Sequence, residues 1–219
     1  MLKKTLNDIK ISGYDDFFKT DEIRQEEMLD RIREIPIENI IDFPNHPFHF
    51  KDKDLTELVE SVTQFGILLP TLVRPINGKF EMVSGHRRKR SAALAGLDKI
   101  PCIVKNMTDD EAIIVMVDTN IQRENILPSE RAWAYKMKLD ALKHQGKRYD
   151  LTSAQLAQKL KTSVEKVAND ANTSKDQVRR FIRLTELIPP LLQMVDDKKI
   201  AFNPAVEISY LSKREQKIY

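Results

Sequence analysis

Little in this 219-residue sequence can stiffen it covalently or anchor it: one cysteine, Cys102, six glycines and one tryptophan, with aromatics at 7%. A lone thiol forms neither an internal disulfide nor a cysteine zinc cage. Set in Ile100-Pro101-Cys102-Ile103-Val104, it reads as core filling. No apolar run approaches the roughly 18 residues of a membrane-spanning helix, and Lys3, Lys4, Asp8 and Lys10 break the apolar core that a secretory signal needs. These absences point to the cytoplasm, without membrane association. The four histidines, His46, His49, His86 and His144, are scattered without i, i+4 spacing, so they mark no metal centre.

What is present is a charged, helix-rich chain, 41% hydrophobic and 32% charged, with a net charge of only +3. The charge is unevenly spread: between Gly146 and Arg183 nine basic residues face four acidic ones, leaving the remainder close to neutral. Residues 1–34 mix both signs without a sustained apolar stripe and read as a mobile or weakly helical arm. Ile35-Pro36-Ile37 opens a strand-like stretch, followed by the two-proline loop Phe43 to Pro47. Asp54 with Glu57 is read as capping a helix whose buried stripe is Leu55, Leu58, Val59 and Val62, ended by Gly66. Asn77-Gly78 between two apolar runs predicts a β-hairpin. A helix from Arg87 to Leu94 closed by Gly96, a strand from Ile100 to Val104 and a Thr108/Glu111-capped helix to about Thr119 follow. Pro128 then opens a long amphipathic helix stopped by Gly146, and no strand signal of similar quality comes after it. Pro189-Pro190 is read as terminating a helix, and Asn203-Pro204 as interrupting the last segment. The fold class is therefore α+β: a small N-terminal unit of strands and helices over 35–126, then an all-helical one over 127–219.

Val164 to Phe181 fits a helix-turn-helix, placed at about 164–187. Val167, Ala171, Val178 and Phe181 supply the contact between two short helices, Ala168 is small at the approach, and Asn172 suits a left-handed turn. Ser174 caps the second helix, which offers Lys175, Gln177, Arg179, Arg180 and Arg183. Gln177, Arg179 and Arg180 are candidates for DNA bases, Lys175 and Arg183 for phosphates. Read plainly, the same segment is a helical hairpin with a solvated basic face. Trp133 beside Tyr135 could stack a base, though such residues more often dock a helix.

The other constellation is Ser84-Gly85-His86-Arg87-Arg88-Lys89-Arg90 at a strand-to-helix junction. A glycine lets backbone amides approach an anion, the helix N-terminus adds partial positive charge, and paired arginines supply forked donors. Without further support this too is a solvated basic helix surface.

Three ordered segments, Gly66 to Arg74, Gly85 to Ala92 and Asn120 to Pro128, together with the helix-turn-helix, resemble the successive boxes of the ParB partition family over roughly Ile35 to Leu211. The resemblance implies a ParB/sulfiredoxin-like N-terminal domain that binds CTP with Mg2+, and a central domain on a palindromic, centromere-like duplex. Carried over, Gly85, Arg87 and Arg88 hold the triphosphate, and Asn120, Gln122 and Arg123 complete the pocket, with Gly66, Arg74 and His86 from the same boxes and Asn120 as the metal ligand. It further implies a homodimer on DNA, a ParA-type ATPase partner, a nucleoid-associated location and at most weak CTP hydrolysis. The family's C-terminal dimerisation domain would lie beyond Tyr219. Three places depart from the pattern: His86 and Thr119 stand where the family has acidic residues, which weakens the metal site, and Phe48 and His49 stand where an arginine is common. Relatives of this fold include nucleases, sulfiredoxin and a free-serine kinase. Sulfiredoxin's reactive cysteine is absent from this motif, and a nuclease would have to draw its carboxylates from Glu81, Asp118 and Glu124. A helix-turn-helix regulator without nucleotide gating is the remaining alternative.

Overall fold

The computed structural model describes residues 32–123, 125–144 and 153–218. Most of the arm assigned to 1–34, and Glu124 and Gly146, lie outside them. A five-stranded mixed sheet comes first, built from β1 (Ile32–Pro36), β2 (Ile40–Ile41), β3 (Thr71–Ile76), β4 (Lys79–Ser84) and β5 (Lys99–Val104) in the order β1-β5-β3-β4-β2. β1 begins at Ile32, inside the stretch assigned to the arm, because antiparallel pairing with β5 from Ile103 to Lys99 extends it. The β3–β4 hairpin turns on Asn77 (φ 47°) and Gly78 (φ 77°), both positive as a tight primed turn requires.

Helices α1 (Thr56–Phe65), α2 (His86–Leu94) and α3 (Asp109–Asp118) accompany the sheet. Asp54 does not cap α1: its carboxylate accepts the Lys51 N–H at 3.2 Å and closes a 3₁₀ turn over Asp52–Leu55, so the helix starts after it without a side-chain cap. At α3 the Thr108–Glu111 capping box forms in both directions. Cys102 is fully buried against Thr71, as core filling.

The remainder is helical: α4 (Pro128–His144), α5 (Ser153–Asp170), α6 (Lys175–Leu184), α7 (Pro189–Asp196) and α8 (Phe202–Ile208). Pro189 and Pro190 open α7 rather than ending a helix, since the N–H that proline lacks has no acceptor in a first turn anyway. Pro204 is likewise accommodated in the first turn of α8. The first helix of the expected helix-turn-helix is not short but 18 residues long. Between α5 and α6 Asn172 adopts φ 49°, Ser174 Oγ accepts the Gln177 N–H at 3.1 Å, and Val167, Ala168, Val178 and Phe181 are buried.

One apolar cluster runs from Phe43, Phe48 and Val83 through Met116 and Tyr135 to Val178 and Val206, so the core does not break at residue 126. An ion triad centred on a buried lysine reinforces that junction. Lys138 on α4 is 2% exposed, and its ammonium bonds Asp118 at the end of α3 and Asp170 Oδ2 at the end of α5 (2.6 Å).

Candidate nucleotide and nucleic-acid sites

β4 ends at Ser84, where Gly85 turns the chain into α2. Its φ of 113° suits glycine, and a Cβ there would lie 2.6 Å from Thr71 Cγ2, so the backbone is pressed against β3 as no other residue allows. The helix N-terminus thus formed opens on a cavity of about 360 Å³ lined by Gly85, Arg87, Arg88, Thr119, Asn120 and Arg123, with Ser84 and Leu58. Arg87 donates to the Asp54 carbonyl at 2.9 Å while its Nε is buried without a partner. Arg88 donates to the Leu69 and Pro70 carbonyls, both at 2.7 Å, tying down the segment after Gly66. Burial lowers the proton affinity of Arg88 and of Arg123, the latter also repelled by Arg87. Three guanidiniums around one cavity, with no carboxylate among its described lining residues, form an anion site.

Of the nine nucleotide candidates, five converge there. Gly66 instead caps α1 at φ 68°, and Arg74 is a buried brace bonded to Glu81 (2.6 Å), Asp109 (2.7 Å) and the Met107 carbonyl. Gln122 donates to the Asp170 carbonyl at 3.1 Å. His86 is 8% exposed and turns to His46, ring centroids 4.0 Å apart, beside a separate cavity of about 460 Å³ shared with Asp42, Phe48 and Lys89. Desolvation, then the neighbouring His46, pushes its pKa down to about 3, and neither Nε2 has a partner. This imidazole pair was not legible in the sequence, because 40 residues separate its members.

For magnesium the cavity's described lining offers only oxygens of neutral groups. The Asn120 amide nitrogen donates to the Met116 carbonyl at 2.7 Å, leaving Oδ1 free, and the Thr119 hydroxyl donates to the same carbonyl at 3.1 Å. Magnesium is usually held by one or two carboxylates plus phosphates. These residues therefore fit a metal that arrives on a nucleotide, with Asn120 Oδ1 as its protein contact, and do not form a site for the free ion. Among the described residues no cluster of three His, Cys, Asp or Glu side chains is present. Of the carboxylates named for a nuclease, Glu81 is engaged by Arg74 and Asp118 by Lys138, and Glu124 lies outside the described residues.

On α6, Lys175, Asp176 and Arg179 are exposed, with Arg179 bonded to Asp176 at 3.0 Å and Lys175 to Glu165. Arg180 is drawn to Asn203 and lies 5.3 Å over the Phe202 ring. Arg183 bonds both the Oγ and the carbonyl of Ser209 and stacks 4.1 Å over Tyr210, which makes it a brace for the last helix. Tyr135 is core, edge-to-face with Phe181, whereas Trp133 is 41% exposed. No helix among the described residues is long and apolar enough to cross a membrane.

Residues 20–121 match the model of the ParB N-terminal domain. The chain is 32% identical over 167 residues to the chromosome-partitioning protein Spo0J of Thermus thermophilus, covering 76% of this chain and 55% of that protein. It is 41% identical over 139 residues to the stage 0 sporulation protein J of Bacillus subtilis, covering 63% and 47%. The chain thus spans about half the length of the curated relatives it matches. The solved Pnob8-like ParB-N domain shares its fold, with a TM-score of 0.56 at 15% identity over 85% of this chain and 87% of that one. Gly85, Arg87, Arg88, Thr119 and Asn120, which line one cavity here, lie within those matched residues, and over them the chain carries a ParB N-terminal domain.

Proposed function

We propose that this protein is a CTP-gated, sequence-specific DNA-binding partition factor. The observation that carries the reading is the arginine-lined cavity at the N-terminus of α2, where Gly85, Arg87, Arg88, Asn120 and Arg123 meet. Its size and charge suit the phosphates of a nucleotide. Cytosine selection rests on the family alone, and with it the magnesium that accompanies the triphosphate. The chain acts in two units, 35–126 for nucleotide and 127–219 for DNA, with α6 in the major groove of a palindromic duplex. One helix-turn-helix reads one half-site, so two copies act together. A ParA-type ATPase partner and a nucleoid-associated, cytoplasmic location follow from the same reading. The name borne by the Thermus thermophilus relative agrees with it.

At the metal-facing end Thr119 and Asn120 are neutral, which leaves more developing phosphate charge uncompensated and makes hydrolysis slow. Calorimetry with CTP, UTP, ATP and GTP, in the presence of magnesium and a duplex selected from a random pool, tests the reading. CTP binding stronger than that of the other three, abolished by Arg87→Ala, supports it. A recovered palindrome bound equally well with and without CTP, and no CTP uptake, would replace it with a nucleotide-independent regulator.

A further inference from the structure

A second polar cavity, about 450 Å³, opens where the turn of the helix pair faces α4, and Arg123, Arg131, Tyr135, Thr173 and Gln177 line it. Arg131 is absent from the family boxes and from the recognition helix. Its guanidinium lies 5.4 Å over the Phe181 ring, its Nε is buried with no hydrogen-bond partner, and no carboxylate among the described residues reaches it. Stacking on Phe181 fixes the plane of the fork and leaves its N–H edge free. A part-buried guanidinium without a counter-charge is costly, so its retention in a cavity implies an anion. Every polar side chain around it is a potential donor, and none of the lining residues is acidic.

Position selects the anion. Thr173 belongs to the turn that Asn172 sets with φ 49°, and Gln177 is in the first turn of α6. A recognition helix enters the major groove by its N-terminal end, which brings the sugar-phosphate backbone past this turn. We propose that the cavity seats one phosphodiester of the DNA backbone, with Arg131 as its principal charge and Thr173 and Gln177 as hydrogen-bond donors. This deepens the reading of α5–α6 as a DNA-binding pair and rests on it. Such a contact fixes register without reading sequence.

The test uses the full chain and its selected duplex. Affinity is measured at several salt concentrations for wild type, Arg131→Gln and Arg131→Lys, alongside duplexes carrying one methylphosphonate at each backbone position in turn. Loss of one neutralised phosphate lowers the slope of log affinity against log salt by about 0.9, so Arg131→Gln should weaken roughly 3.5-fold less than wild type between 50 and 200 mM salt. Arg131→Lys restores the slope, which shows that charge and not folding is read. One methylphosphonate position should cost wild type affinity and cost Arg131→Gln nothing further. An unchanged slope in Arg131→Gln, or the absence of any position whose effect Arg131→Gln removes, overturns the proposal while leaving the recognition helix in place. Arg131-dependent binding of inorganic phosphate with an unchanged DNA slope would assign the cavity to a free anion and overturn it equally. Failure of wild type to bind any duplex instead defeats the DNA reading itself.

Discussion

Lys138 is the side chain whose removal should most clearly report how the two halves are held together. Its ammonium, 2% exposed, is shared by Asp118 at the end of α3 and Asp170 at the end of α5, both of whose side chains remain more than a third exposed. Lys138→Met keeps an unbranched stem in the core and deletes only the charge. The two carboxylates bonded to one tetrahedral nitrogen are then left about 4 Å apart, where their repulsion costs roughly 1–4 kcal/mol for an effective dielectric constant between water and the protein surface. Because water reaches both, the full 3–5 kcal/mol of a broken buried pair is not expected; about 2–3 kcal/mol is. For a chain of this length that lowers Tm by roughly 4–12 °C. Thermal melting followed by circular dichroism reads the shift. Adding Asp118→Asn and Asp170→Asn to Lys138→Met should recover most of the loss, since the repulsion is gone. A Tm for Lys138→Met within 1 °C of wild type, or no recovery in the triple variant, would refute the triad as a determinant of stability.

Gly85→Ala should abolish measurable nucleotide binding and cost about 1–3 kcal/mol of stability, because φ 113° is closed to alanine and its Cβ meets Thr71; Gly78→Ala, with open space around it, should leave calorimetric nucleotide binding unchanged. Burial keeps His86 neutral down to about pH 3, whereas the unfolded chain takes up that proton near 6.5, so stability is complete above 6.5 and falls as pH drops towards 3; denaturant titrations should show about 2 kcal/mol lost from this group by pH 5, and His86→Gln should flatten the profile. Arg179→Ala should cost about 1–3 kcal/mol in specific DNA affinity with no change in Tm, while Arg183→Ala, which strips Ser209 and Tyr210 of their partner, should lower Tm first; gel-shift titrations beside melting curves distinguish them, and equal affinity for wild type and Arg179→Ala would remove α6 as the reading helix.

Local chemistry made several elements readable before any tertiary structure. Asn77-Gly78, Thr108 with Glu111, Gly85 before its basic helix, and Asn172 with Ser174 each depend on backbone conformation or capping within four residues, and each is formed as its residues dictate. The same reasoning misplaced Asp54, whose cap was taken by the 3₁₀ turn before α1, and Pro189-Pro190, since a proline pair marks a helix boundary without saying on which side the helix lies. Which arginines face an open cavity was beyond local reading. Arg74, Arg87 and Arg88 all belong to motif-like segments, yet only the fold brings Glu81 and Asp109 onto Arg74 and leaves Arg87 and Arg88 beside Asn120 and Arg123. Arg183 likewise became a brace because α8 returns beneath it. The sequence by itself determined the order of the main elements, most of their turns and caps, and the family resemblance; the tertiary structure alone decided the His46–His86 pair, the Lys138 triad and the Arg131 cavity, because burial and counter-charge come from residues tens of positions away whose approach no local pattern encodes.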